Sequence, residues 1–188
     1  GGRARGVEFS SPTPGAQFMV SANAGGSEPV AFGYPGDFTA FSAQRMFATV
    51  GGLVTEVRFF DPTRPAVRAT TSAFGAVFED VETAGDTTLS YYDLNDQLLL
   101  TVEVAAGASG SLSFGGAVFE SAAVGKVVIH TGNAILFADG SYGPGADGVV
   151  MDDFIYGEPQ PVPEPSTYAM FALGLVGLGV AARRRSRG

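Results

Sequence analysis

Cysteine is absent from the 188-residue chain. That excludes disulfides, zinc–thiolate centres and thiol nucleophiles. Tryptophan is also missing, and lysine and histidine occur once each, at Lys126 and His130. A Ser-His-Asp hydrolase would have to use His130, yet no Gly-x-Ser-x-Gly elbow accompanies it. Positive charge is scarce, with 11 Lys and Arg against 19 Asp and Glu. Four of those cations, Arg183, Arg184, Arg185 and Arg187, crowd the last six residues. Residues 1–182 therefore hold 7 basic and 19 acidic residues, a net of −12. Such a body argues against nucleic acid as a partner, because phosphate binding needs a positive surface. No initiator Met is present. The start Gly1-Gly2-Arg3 reads as a processed or truncated product, with a secretory signal peptide as an expectation upstream.

No amphipathic helical period precedes residue 166. In its place are 27 Gly, 15 Phe and recurrent short runs of β-branched and aromatic residues. Strands are predicted at Val7–Ser10, Gln17–Ser21, Thr55–Phe60, Ala76–Val81, Thr88–Tyr92, Leu98–Val104, Ala117–Glu120, Lys126–His130, Ala134–Phe137 and Gly148–Tyr156. In Leu98–Val104 the alternation puts Leu98, Leu100, Val102 and Val104 on one face. The turn-forming Asp93-Leu94-Asn95-Asp96-Gln97 makes Thr88–Val104 a β-hairpin. Loops are expected at Gly25–Gly36, Asp61–Ala66, Ala105–Gly110 and Asp139–Gly148. Short strands between turn signals favour an all-β, antiparallel, jelly-roll-like sandwich over residues 1–157. FGAVFED at Phe74–Asp80 and FGGAVFES at Phe114–Ser121 resemble each other. They are either matching strands of two halves or a coincidence of composition.

Asp152 and Asp153 stand in an otherwise apolar strand. Unbroken alternation sets Val150, Asp152, Phe154 and Tyr156 on one face and Val149, Met151, Asp153 and Ile155 on the other, so at least one carboxylate is half-buried. A buried carboxylate needs a partner or a metal. Ca²⁺, which takes carboxylate and carbonyl oxygens, suits the pair, with Glu8 as a further ligand. The alternative is that the aspartates accept backbone N–H bonds or face water. Glu79, Asp80, Glu103 and Glu120 lie on strand segments, but no spacing selects a glycosidase pair from them, and a solvated strand face is the better reading. Tyr91, Tyr92 and Tyr142 are candidates to stack on sugar rings. Alternation places Tyr91 and Tyr92 on opposite faces, so one of them belongs to the core.

After Gly157 the composition changes. Residues 158–165 hold four prolines in eight residues, too many for a ladder or helix, and read as a stiff spacer. Tyr168–Ala182 is a run of fifteen uncharged residues. As a helix it would rise about 22 Å, against roughly 30 Å of hydrocarbon. Ser166, Thr167 and snorkelling arginines bring 166–182 close to spanning. Residues 183–188 should then stay cytoplasmic and the body on the far side. A buried C-terminal helix is the competing reading.

Val162-Pro163-Glu164-Pro165, the apolar run Tyr168–Ala182 and the basic cluster Arg183–Arg187 together resemble the PEP-CTERM sorting signal, which is also labelled an ice-binding protein C-terminal domain. The resemblance covers roughly the last 27 residues. It implies a Gram-negative bacterium, insertion in the inner membrane and processing by an exosortase, with Val162, Pro163, Glu164 and Pro165 as the recognised motif. It also implies a link to exopolysaccharide and biofilm. The body segments GVEFSS, SAFGAVFEDV, LSYYDLNDQLL and VVMDDFIYGEP resemble a recurrent domain joined to such tails. An acidic strand that usually precedes GV-x-F is missing here. The expectations, in order, are a non-enzymatic structural or adhesive surface protein, a Ca²⁺-stabilised carbohydrate-binding module, and a glycan-active enzyme.

Overall fold

Thr88–Tyr92 and Lys126–His130 bury every second side chain, and Val54–Asp61 does so as far as Phe59. This half-buried pattern turns one face of a strand to a core and the other to solvent. The computed structural model describes residues 2–20, 38, 40–42, 46–137, 142–162, 170, 173, 175, 176 and 183. Its strands are β1 (Val7–Ser10), β2 (Gln17–Val20), β3 (Phe47–Val50), β4 (Val54–Asp61), β5 (Arg64–Thr70), β6 (Ala73–Glu79), β7 (Thr88–Tyr92), β8 (Leu98–Glu103), β9 (Leu112–Val118), β10 (Lys126–His130), β11 (Val150–Tyr156) and β12 (Gln160–Pro161).

They form two antiparallel sheets. A seven-stranded sheet runs β12-β5-β4-β10-β7-β8, with β1 also pairing β4, and a five-stranded sheet runs β2-β3-β11-β6-β9. The late strands β10 and β11 occupy central places, one in each sheet. The inner faces meet in one core of Val57, Phe59, Leu89, Tyr91, Val127 and Ile129 against Phe74, Phe78 and Met151. Each such buried side chain contributes roughly 1.5–3 kcal/mol. Tyr91 donates its hydroxyl to the Phe74 carbonyl across the two sheets at 2.8 Å. Burial pushes its phenol up to about 12, offset in part by the Ala117 backbone N–H. The all-β sandwich predicted from turn and strand spacing is what the chain adopts.

A second, smaller core lies on the outside of the five-stranded sheet. Phe38, Met46, Ala48, Val50, Leu136 and Val150 pack there, with Met19, Ala40 and Tyr142 against them. The chain before β3 and the stretch before β11 thus cover part of that face.

Several expectations change. β3 was not predicted, and the expected loop Asp61–Ala66 is the turn into β5. Asp61 accepts from the Thr63 amide and hydroxyl and from Arg64 Nε, which closes that turn. The Thr63 hydroxyl above all, with Arg64 and the Thr63 amide, holds its carboxyl down to about 2 against the opposing effect of burial. The strand expected at Ala117–Glu120 lies earlier, as β9. Ala134–Phe137 makes a single bridge, Leu136 with Tyr142, instead of a strand. In β8 only Val102 and the following Val104 reach the core, while Leu98, Leu99 and Leu100 are exposed. A register shift between Tyr91 and Tyr92 pairs them with Leu100 and Leu98. The two similar FG segments are neighbours in one sheet, paired antiparallel as β6 and β9 with Phe74 opposite Ala117. The proline-rich stretch does enter a ladder, since Gln160 and Pro161 pair with Thr70 and Ala69. Proline is tolerated there because β12 is an edge. Gly6, at φ 77°, is required where Pro159 docks, as a Cβ would lie 2.7 Å from the Pro159 ring. The loop expected at Gly25–Gly36 lies outside the described residues.

Candidate functional site

Asp152 is 5% exposed on the outer face of β11. Its Oδ2 accepts the Phe41 and Ser42 amides at 2.8 and 3.0 Å, and its Oδ1 accepts the Asp153 amide at 2.8 Å. The Ser42 hydroxyl lies 3.2 Å from Asp152 Oδ1 and 2.8 Å from Asp153 Oδ1, and its single proton favours the shorter contact. Asp152 therefore ties the 40–42 segment, which precedes β3, down onto β11.

Asp153 is exposed and has φ 26°, and the register shifts between Asp152 and Phe154. This is a β-bulge, in which one extra residue turns the rest of the strand over. Phe154 consequently joins Phe9, Phe47 and Phe74 in ring contacts inside, while Ile155 points out. The expected row Val150, Asp152, Phe154, Tyr156 is thus broken at its middle. The sequence carried a signal for this in two successive Asp residues, a residue type that tolerates positive φ.

Glu8 does not join the aspartates. It accepts from Arg3 Nε and Nη2 at 2.8 and 3.0 Å. Its neighbours Val7 and Phe9 face the core, so Glu8 faces away from it. Glu8, Asp152 and Asp153 therefore form no common ligand set. Among the described residues no cluster of three or more His, Cys, Asp or Glu is arranged to hold a metal. The backbone-amide alternative describes Asp152. A cleft of about 330 Å³ beside it is lined by Arg5, Phe9, Ser42, Phe47, Asp153 and Tyr156 among others.

The same use of carboxylates recurs. Asp147 is fully buried and accepts the Glu82 and Thr83 amides, each at 3.1 Å. Asp80, at φ 64°, accepts the Gly110 amide at 2.6 Å and the Ser109 hydroxyl at 3.1 Å. Asp80, Ser109 and Gly110 line a polar cleft of about 400 Å³ that also includes Tyr142, Gly145 and Gly148. Asp93 accepts the Asn95 and Gln97 amides, and the Gln97 bond leads in holding its carboxyl below the usual range. Asp147 was not singled out in the sequence, because an Asp in a Gly- and Pro-rich loop reads as solvated. Glu79, expected on a solvated face, is fully buried where β6 pairs it with Val150, whereas Glu103 and Glu120 are exposed. Tyr91 is the core member of its pair. Tyr92 faces out beneath Lys126, whose Nζ lies 4.7 Å from the ring centroid. His130 lies on the outer face of β10 with Nδ1 3.0 Å from the Asp86 carbonyl oxygen.

At the C-terminal end Val162 is exposed just past β12, while Pro163, Glu164 and Pro165 lie outside the described residues, as do Arg184, Arg185 and Arg187. Met170, Leu173, Leu175 and Val176 are helical and between 61 and 70% exposed, and Arg183 is helical and exposed. None of these four apolar side chains is covered by the body, as a buried C-terminal helix would require of its apolar residues. Among the described residues no helix is long and apolar enough to cross a membrane, and most of the expected span 166–182 falls outside them.

Fold and tail together define an all-β sandwich body followed by a C-terminal apolar, basic tail. Compared with protein-family models, residues 161–185 match the PEP-CTERM protein-sorting motif, so the chain carries a sorting motif there. Comparisons with curated proteins and with solved structures gave no match.

Proposed function

We propose that this is an exported surface or matrix protein of a Gram-negative bacterium, sorted by an exosortase and structural or adhesive in role. The sorting motif at residues 161–185 carries the reading. During sorting, the apolar helix sits in the inner membrane with Arg183, Arg184, Arg185 and Arg187 on the cytoplasmic side and the jelly-roll-like body in the periplasm. Processing then releases the body to the surface, where it associates with exopolysaccharide in a biofilm. A non-enzymatic role is supported by the use made of the body's acids. Asp61, Asp80, Asp93, Asp147 and Asp152 each accept backbone amides and hold turns. His130 points off the outer sheet face toward a carbonyl. A net of −12 on residues 1–182 keeps such a body soluble and away from nucleic acid.

The test is Glu164→Ala in an exosortase-positive host, with the body followed through membrane, surface and medium fractions. The variant should accumulate unprocessed in the membrane fraction. Release at the wild-type level would contradict the assignment.

A further inference from the structure

β9 pairs with β6 on one side and, among the described residues, with no strand on the other. Natural sheets protect such edges with charges, prolines or a cover. The opposite sheet ends in the proline-bearing β12 at one side and, at the other, in β8, which carries Glu103 beside its exposed leucines. β9 reads LSFGGAV, with neither charge nor proline. Its outward side chains are apolar and open: Phe114 is 60% exposed, Val118 85% and Leu112 44%, and Ile155 of β11 is 59% exposed nearby. Phe114, Val118 and Ile155 border a groove of about 190 Å³ floored by Gly75 and Gly116.

The strand also shows which sequence it pairs with. On its inner side β9 already binds a near-copy of itself, with the FGAVF of β6 running antiparallel to FGGAVF. The Phe114 ring fills the space that glycine leaves open. A Cβ on Gly75 would lie 2.6 Å from Phe114 Cζ, and one on Gly116 2.9 Å. Aromatic rings laid over strand glycines compensate the missing side-chain packing.

We propose that two copies of this chain associate through β9, antiparallel and two-fold symmetric about Gly115. Leu112 then lies opposite Val118 of the second copy, Ser113 opposite Ala117, and Phe114 opposite Gly116. Inside the sheet Phe114 stands opposite Val77 and its ring lies over Gly75 and Gly116. Across the dimer each Phe114 stands opposite Gly116 of the other copy, the same contact made twice, as an isologous interface requires. No carboxylate falls within the paired segment, and Glu120, two residues beyond it, meets Gly110. Two acidic bodies thus join through the part of their surface that carries no charge. The proposal rests on the body alone and is independent of the sorting reading.

The lack of cysteine makes the test clean. Leu112→Cys and Val118→Cys are made separately in the full chain, held in neutral nonionic detergent to accommodate the apolar tail. Directly opposed residues lie about 4.5–5.5 Å apart, within disulfide range. Like positions in the two copies are separated by six residues, roughly 20 Å. Mild oxidation should yield a disulfide dimer when the two variants are mixed and none with either alone. Absence of the mixed product, or self-linking of one variant, overturns the register. Val118→Lys, at an exposed position, should raise the dimer dissociation constant at least tenfold in sedimentation experiments, with the melting temperature unchanged at dilutions where both proteins are monomeric. Association that survives this substitution, whether through the tail or through another face, overturns the interface.

Discussion

On the outer face of the seven-stranded sheet, Arg3 grips Glu8, Arg58 meets Glu56 and Lys126 meets Asp96. On the outer face of the five-stranded sheet, Val50, Leu136 and Val150 lie under a second core, and Phe114, Val118 and Ile155 lie bare. Two sheets that share one core have thus been finished differently. The first faces water apart from Phe60, which Arg3 and Arg68 cover. The second needs cover, which the chain supplies over β3 and the start of β11 but not over β9. That difference separates substitutions that matter from those that do not. It also explains why the carboxylate that holds the cover, Asp152, is buried while Glu8 is not.

Phe78, fully buried in the common core, sets the upper limit. Phe78→Ala should cost about 3–5 kcal/mol in chemical denaturation. The cover is the next test. Asp152→Ala removes the acceptor for the Phe41, Ser42 and Asp153 amides and should cost about 1–3 kcal/mol. Amide exchange should rise first around residues 46–50, and protection that stays uniform would mean that the second core is not held by this carboxylate. A pH series examines the turn between β4 and β5. The Asp61 carboxyl is depressed to about 2, below its ordinary value near 4. A depressed acid stabilises the fold above its unfolded pKa and ceases to do so as pH falls through the folded value. Stability should therefore decline between about pH 4 and pH 2, and Asp61→Asn should flatten that part of the profile. The smallest effect belongs to the water-facing sheet. Glu8→Gln breaks an exposed ion pair and should change stability by no more than about 1 kcal/mol. A larger loss would show that the two outer faces are not so different.

Strands with plain alternation were legible to the residue. β1, β7 and β10 fall where Val7–Ser10, Thr88–Tyr92 and Lys126–His130 were read. Others were hidden for identifiable reasons. β5 carries two arginines and a proline because its first residues lie exposed, so it lacks a buried-strand signature. β9 was misplaced because Gly115 and Gly116 interrupt its pattern. Gly115 is dictated by packing, since a Cβ there would lie 2.7 Å from both Leu89 and Val104. The half-buried carboxylate of β11 was visible as a problem, but its solution was not. The amides that satisfy Asp152 come from 110 and 111 residues away.

The sequence alone determined the all-β class, the excess of acid in the body and the sorting motif at the end. These depend on local period, composition and short contiguous patterns. Only the tertiary structure decided what the acids do and which face is covered. A carboxylate's partner is set by what folding brings beside it, and a single inserted residue such as Asp153 reverses every side chain that follows. The apolar β9 edge belongs to the same category, because whether a Phe and a Val are core or surface depends on the neighbour that the fold does or does not place over them.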